Sequence, residues 1–137
     1  MLETSASIWV VMGAAIAATV INIGWYSPWF FGTAWQQANG RTKVSPPHTW
    51  QDYLAILGIN IFTAYVLSQF VQFASIALQL DGSVTDGIIV GMWAWLGFVA
   101  APTLINSVRH RQKREVWIIE ASQYLLSLLI MGAIVTL

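Results

Sequence analysis

The chain has 137 residues, of which 57% are hydrophobic and only 9% are charged, and its formal net charge is zero. In soluble domains roughly a quarter of all residues are charged, so this composition excludes an ordinary soluble enzyme domain. Cysteine is absent, which excludes disulfide bonds, thiolate catalysis and cysteine-ligated metal. Outside the apolar stretches about 35 residues remain for loops and ends, too few for a second domain.

Four long stretches are almost free of charge. Residues 4–40, 53–80 and 87–108 contain no charged side chain, and residues 116–137 contain only Glu120. A helix of about 20 apolar residues crosses the roughly 30 Å hydrocarbon core of a bilayer. The sequence therefore predicts an all-α fold, a four-helix transmembrane bundle in one domain. The predicted spans are residues 6–31, 51–78, 84–108 and 116–137.

The end of span one and the loop after it are rich in aromatic residues. The stretch WYSPWFFGTAW, residues 25–35, predicts a belt at the membrane boundary, where an apolar ring with a polar N–H or O–H is stable. Pro28 leaves the carbonyl of Gly24 without its helical partner and predicts a kink. The following GTAWQQANG fits either a short interfacial helix, with Trp35 in the headgroups, or an ordinary loop.

Local signals mark the starts of spans two and three. The pairs Thr49/Asp52 and Ser83/Asp86 have the spacing of a capping box. Asp81-Gly82, just before the second pair, is typical of a tight turn. The second loop is therefore very short, and we expect spans two and three to be antiparallel neighbours.

Span three contains a proline and two pairs of small residues. Pro102 frees a carbonyl as Pro28 does in span one, so the two helices either open a vestibule towards the basic loops or carry tolerated kinks, as many membrane helices do. The small-residue pairs predict close helix packing, within the chain or between subunits. They are Gly87-x-x-x-Gly91 and Gly97-x-x-x-Ala101, and span one adds Gly13-x-x-x-Ala17.

The basic residues orient the chain. All six lie in the first and third loops, on one side of a four-span protein; an odd number of spans would put the two loops in conflict. They are Arg41 and Lys43, then Arg109, Arg111, Lys113 and Arg114. Because positive loops remain cytoplasmic, we expect both termini to be extracytoplasmic. The third loop is also expected to contact anionic lipid headgroups, at about 1 kcal/mol per basic residue.

Glu120 is the single charged side chain well inside a predicted span. An intramembrane acid is by default a functional-site hypothesis, because its charge is costly to bury unless it is paired or protonated. The alternative is an interfacial anchor. Glu120 follows the basic loop near the positive end of its helix, and so is placed to pair with an arginine or lysine there.

Other polar side chains are predicted at a similar depth. Asn22 and Asn60 each lie about nine residues, roughly 14 Å, from the basic ends of spans one and two, and Gln123 and Tyr124 share a helical face with Glu120. Such groups either form hydrogen bonds between helices or line a wet cavity. The candidate polar pocket comprises Glu120, Tyr124, Gln123, Asn22, Asn60, Asn106 and Tyr26.

The motifs resemble those of a family of small four-helix bacterial membrane proteins, domain-of-unknown-function family 1761. The likeness rests on WYSPWFFGTAW after an alanine-rich first helix, on LGF at residues 96–98, on Asn106 before the basic loop and on LLIMGAI at residues 128–134. It covers essentially the whole chain, although the loop RHRQKRE is more basic than the family leads us to expect. The resemblance implies a four-helix fold in the bacterial inner (plasma) membrane and brings no activity or catalytic residue.

Three functional classes remain open. The leading one is binding or passage of a small solute or ion through a homo-oligomeric bundle, since four helices are few for a pore. An accessory or structural membrane subunit is second, and a lipid-acting membrane enzyme with Glu120 as its acid is third. His48 and His110 lack convergent ligands for a metal. No catalytic motif, cofactor or nucleic-acid role is predicted.

The charge distribution predicts the topology directly. A reporter fused after Leu137 should be active only in an extracytoplasmic location, because all six basic residues would then lie in the cytoplasm. Paired periplasmic and cytoplasmic reporters measure this. A cytoplasmic C-terminus would overturn the predicted orientation.

Overall fold

A computed structural model describes residues 7–27, 29–38 and 49–137, and within them the chain is all-helical. Four segments are long and apolar enough to cross a membrane, and the predicted four-helix transmembrane fold is confirmed. The third of these segments, Val84–Arg109, is one helix with a π-helical turn in its middle. The elements are α1 (Ile8–Trp25), α2 (Gly32–Ala38), α3 (Trp50–Ala77), α4 (Val84–Trp95), the π segment (Leu96–Ala100), α5 (Ala101–Arg109) and α6 (Arg114–Ile134).

The helices run alternately up and down, and α6 is the central one. It packs extensively against both α4 and α1, and α3 packs mainly against α1. The short second loop makes α3 and α4 neighbours, but they touch much less than α4 and α6, α1 and α3, or α1 and α6 do. We call the end with Trp25, Trp50 and Arg109 the basic end, and the end with Ile8 and Ile134 the terminal end.

Glycine allows α4 and α6 to touch backbone to backbone at the terminal end. A Cβ on Gly87 would collide with the carbonyl oxygen of Gly132, and a Cβ on Gly132 with that of Gly87. One turn further, a Cβ on Gly91 would lie 2.5 Å from the carbonyl oxygen of Leu128. The first predicted small-residue pair therefore packs within the chain. A Cβ added to Gly13 or to Gly97, by contrast, would meet nothing within 4 Å.

The two halves of the bundle differ in packing. The buried apolar core lies in the terminal half and the middle, in α1, α3 and α6. At the basic end residues 50–55 of α3 are all exposed, and Ser107 is the only buried residue of α5. The core residues are Val11, Ala14, Ala18, Ala64, Leu67, Val71, Leu128, Met131 and Val135. The bundle is thus tight at the terminal end and looser at the basic end.

Helix starts follow the local sequence, and both predicted capping boxes are present, at Thr49/Asp52 and at Ser83/Asp86. The turn before the second box contains Gly82 with a φ of 70°, a left-handed conformation that favours glycine. Pro28, Arg41, Lys43 and His48, for which the sequence made predictions, lie outside the described residues.

The end of span one needs a correction. We expected it to continue to residue 31, but α1 ends at Trp25 and the chain turns there. The Gly24 carbonyl accepts both the backbone N–H of Ser27 at 3.2 Å and its hydroxyl at 2.7 Å. Phe31 then donates its N–H to the Trp25 carbonyl at 2.9 Å. These bonds close the helix before α2 begins, and α2 fits the predicted short helix of the first loop.

Pro102 lies just after the π segment, at the start of α5. A proline has no N–H to donate and displaces the helical bonding pattern, and a π turn absorbs such a displacement by inserting one residue. The hydroxyl of Thr103 donates to the Val99 carbonyl at 2.6 Å. The Trp117 indole in turn donates to the Thr103 hydroxyl at 3.0 Å, so α6 holds this irregular turn in place.

The backbone contact at Gly87 predicts that the same substitution has different effects on stability at two glycines. Gly87→Ala should destabilise the fold by about 1–3 kcal/mol, because the new methyl group meets backbone that cannot move aside. Gly13→Ala, the control, adds the same methyl group in open space within α1 and should leave stability unchanged or raise it by up to about 1 kcal/mol. Unfolding in detergent micelles measures both. Equal stability of the two variants would contradict the close contact.

Candidate functional site

Glu120 lies in α6 six residues after Arg114, about 9 Å along the helix, and is half-buried. Its Oε1 accepts a hydrogen bond from the indole Nε1 of Trp35 in α2, at 3.0 Å. In the described part of the chain no lysine or arginine forms an ion pair with this carboxylate. Its partner among the described residues is therefore a neutral donor from the first loop.

Two further indoles bond to the residues on either side of Glu120. Trp25 donates to the carbonyl of Ile119 at 2.9 Å, and Trp95 donates to the carbonyl of Ala121 at 2.8 Å. A carbonyl oxygen has two lone pairs, so each can accept an indole proton besides its helical bond. Since the donors come from α1 and α4, this stretch of α6 is fixed from two sides.

The eight tryptophans divide into two groups. Trp25, Trp35, Trp95 and Trp117 are half-buried, and each donates its N–H within the bundle. Trp9, Trp29, Trp50 and Trp93 are between 69% and 89% exposed. The aromatic belt predicted at the basic end is thus only partly a surface feature, because half of the tryptophans hold the helices together.

Two tyrosines complete the surroundings of Glu120. The ring of Tyr26 meets that of Trp35 edge to face, with centroids 5.8 Å apart, and lies within electrostatic range of Glu120 and Tyr124. Tyr124 follows Glu120 by one turn on the same face and is 46% exposed. We call Trp35, Tyr26, Glu120 and Tyr124 the Glu120 cluster; it offers one carboxylate, two phenols and aromatic rings.

The asparagines predicted at this depth do not join the Glu120 cluster by a hydrogen bond. Asn60 donates to the hydroxyl of Thr19 at 3.0 Å, and Thr19 donates to the Ala15 carbonyl at 2.8 Å. This chain of bonds links α3 to α1. Asn22 is half-buried, its side chain bonds to no described residue, and Asn106 is exposed on α5.

Two buried glutamines have amide atoms without a partner. Gln123 donates from Nε2 to the Ser127 hydroxyl at 2.8 Å, but its Oε1 has no donor. Gln69 is only 6% exposed, and neither of its amide atoms is bonded. Sequence reasoning missed Gln69, whose one signal is an amide inside an apolar stretch. Neither side chain touches the Glu120 carboxylate by a hydrogen bond.

The side chains of the Glu120 cluster can bind a charged ligand. Within the described residues no three histidine, cysteine or carboxylate side chains converge on a metal position. A lone carboxylate beside phenol and indole groups can hold a proton or a cation, whose charge it balances while the ring faces add cation–π attraction. The cluster contains no activated nucleophile.

Comparison with known proteins places the chain in a family. Residues 9–136 match the family described as "Protein of unknown function (DUF1761)". The chain belongs to that family, as its motifs predicted. No curated protein and no solved structure matches it.

The bond between Trp35 and Glu120 predicts a measurable coupling. Trp35→Phe keeps an aromatic ring but removes the donor, and should lower the free energy of unfolding by about 1 kcal/mol. In Glu120→Gln proteins the same change should cost less, because the acceptor is no longer charged. A double-mutant cycle in detergent measures this. Trp50→Phe, an exposed control, should show no coupling to Glu120, and an equal value for both tryptophans would contradict the bond.

Proposed function

We propose that this member of the family binds a small cation or a proton at Glu120 and passes it through the bacterial inner membrane. The observation that carries the proposal is the half-buried carboxylate in span four, whose partner is the Trp35 indole rather than a basic side chain. Arg109–Arg114 lie close along the sequence, yet none of them forms an ion pair with Glu120. A purely anchoring role would favour such a pair.

An unpaired carboxylate in a membrane span is expensive in free energy, because little water is present to solvate it. Taking up a proton or a cation removes that cost. Binding is therefore favoured by the site itself, and the occupied and empty states differ in charge. A site with two charge states is the minimum requirement for carrying an ion or for coupling a solute to protons.

The basic end supplies the access. The first turns of α3 at that end are exposed, and Tyr124, one turn deeper than Glu120, is 46% exposed, which supports access to the cluster. The basic loop at this end opposes entry of a cation, but its side chains are exposed. In water their field is screened over about 8–10 Å, whereas the carboxylate acts at close range.

Passage across the terminal half requires a second copy of the chain. That half is filled by the apolar core and by the contact between Gly87 and Gly132, and four helices leave no open path there. Oligomers of identical chains are the common solution in such cases. Span three is the least buried of the four and therefore supplies the surface for a second copy.

An accessory membrane subunit is the second candidate, and one observation favours it. The exposed side of span three includes Gly97 and Ala101, and a Cβ on Gly97 would meet nothing within 4 Å. Small residues on an open helix face permit close approach of another helix. In this case Glu120 would hold the structure together and would carry no ion.

Neutralising Glu120 separates the two candidates. Glu120→Gln should remain folded, because a glutamine oxygen can still accept the Trp35 hydrogen bond, but it should abolish pH-dependent cation binding or flux. In the wild type we expect binding to weaken as the pH falls, since a protonated carboxylate has no charge to balance a cation. Reconstituted vesicles with a panel of alkali-metal and ammonium ions and an internal pH dye measure both effects.

Asp81→Asn provides the matched control. It also removes one carboxylate, but from the exposed turn between α3 and α4, and should leave the activity and its pH dependence unchanged. Identical wild-type and Glu120→Gln behaviour at every pH would reject the ion-binding proposal and leave the accessory role.

A further inference from the structure

A second site lies on the outer side of the start of α6, away from the Glu120 cluster. A groove of about 700 Å³ separates α2 from the first turns of α6, a volume within the range of roughly 300–1,000 Å³ found for ligand clefts. We call it the α2–α6 groove. It is lined by Phe31, Ala34, Gln37, Ala38, Lys113, Glu115, Ile118 and Ile119.

The lining changes from polar to apolar along the helix axis. Lys113 and Glu115 stand at the rim beside the basic loop, and Ile118 and Ile119 follow inside the span. Lys113 and Ile119 are six residues apart, about 9 Å of rise. Phe31 adds an apolar wall from the α2 side. This order, charged at the headgroup level and apolar below it, is the order of groups in a phospholipid.

The rim holds one positive and one negative side chain, and they do not neutralise each other. Lys113 and Glu115 are both exposed, and no ion pair joins either to another residue of the described chain. The amide of Gln37 lies at the same groove. Two unpaired charges of opposite sign in one groove are complementary to a ligand that itself carries both signs.

We infer that the α2–α6 groove binds a phospholipid with a primary-amine headgroup. The phosphate lies against Lys113, where the positive end of the α6 dipole also favours it. The ammonium donates to the Glu115 carboxylate, and an acyl chain follows Phe31 and Ile118 inward. The site is independent of the function proposed for Glu120.

The Glu115 carboxylate determines which class of lipid headgroup the groove prefers. An anionic headgroup with no amine satisfies Lys113 but leaves Glu115 facing a negative charge. A trimethylated amine carries the positive charge but has no N–H to donate, so its interaction with a carboxylate is weaker than a charge-assisted hydrogen bond. The primary amine is the headgroup that satisfies both side chains. The exposed arginines of the loop, by contrast, favour any anionic surface.

Native mass spectrometry of the full chain tests the inference, with phosphatidylethanolamine, phosphatidylcholine and phosphatidylglycerol of identical acyl chains added singly. Occupancy by the first bound lipid should be about two- to five-fold higher for phosphatidylethanolamine than for the other two, the size expected for an exposed charge pair. Glu115→Gln should reduce phosphatidylethanolamine to the level of phosphatidylcholine. Ala34→Trp should lower binding of all three lipids by filling the groove.

Asp81→Asn again serves as the control, since it removes a carboxylate at the other end of the bundle and should leave the lipid ratios as in the wild type. A higher occupancy for phosphatidylglycerol than for phosphatidylethanolamine would overturn the inference and indicate a general anionic-lipid surface. So would an unchanged ratio of phosphatidylethanolamine to phosphatidylcholine in Glu115→Gln. Ion flux in Glu120→Gln vesicles tests the other proposal, so the failure of one proposal can be told apart from the failure of the other.

Discussion

The hydrocarbon core of a bilayer offers no hydrogen-bond partners, so a polar group in a span is costly unless it is bonded inside the protein. In this chain that constraint acts on α6. Three indoles, from three different elements, bond to three consecutive residues, and Glu120 is the middle one. The positions of α1, α2 and α4 around the start of α6 follow from these bonds. Each indole adds only about 1 kcal/mol, but together they fix the rotation of α6 about its axis.

The opposite end of α6 is held by a different interaction. There Gly87 and Gly132 bring two backbones into contact, and the gain is van der Waals packing rather than hydrogen bonding. Glycine pairs tolerate no displacement, whereas indole bonds between side chains and carbonyls can lengthen or exchange. The tight terminal half and the looser basic half are therefore a direct result of which contacts each contains.

The features that were predicted best from the sequence are those that depend on local chemistry. Four spans follow from charge-free length, and the capping boxes at Thr49 and Ser83 follow from residue spacing alone. The end of α1 at Trp25 was missed because Ser27 satisfies the Gly24 carbonyl with its hydroxyl, which no apolar pattern reveals. The sequence also did not reveal which tryptophans turn inward, because an indole is stable both at an interface and bonded to a carbonyl. The partners of Glu120 needed the tertiary structure.

Glu115 and Glu120 show how one helix can present two carboxylates to different surroundings. They are five residues apart, so at 3.6 residues per turn their side chains point in directions about 140° apart around the helix. Glu120 therefore faces Trp35 and the bundle, and Glu115 lines the α2–α6 groove. Ile119 lies between the two sites, since its side chain lines the groove while its carbonyl accepts the Trp25 indole. The two proposed sites therefore share one helix but no ligand-binding side chain, so that either carboxylate can be changed without removing the other.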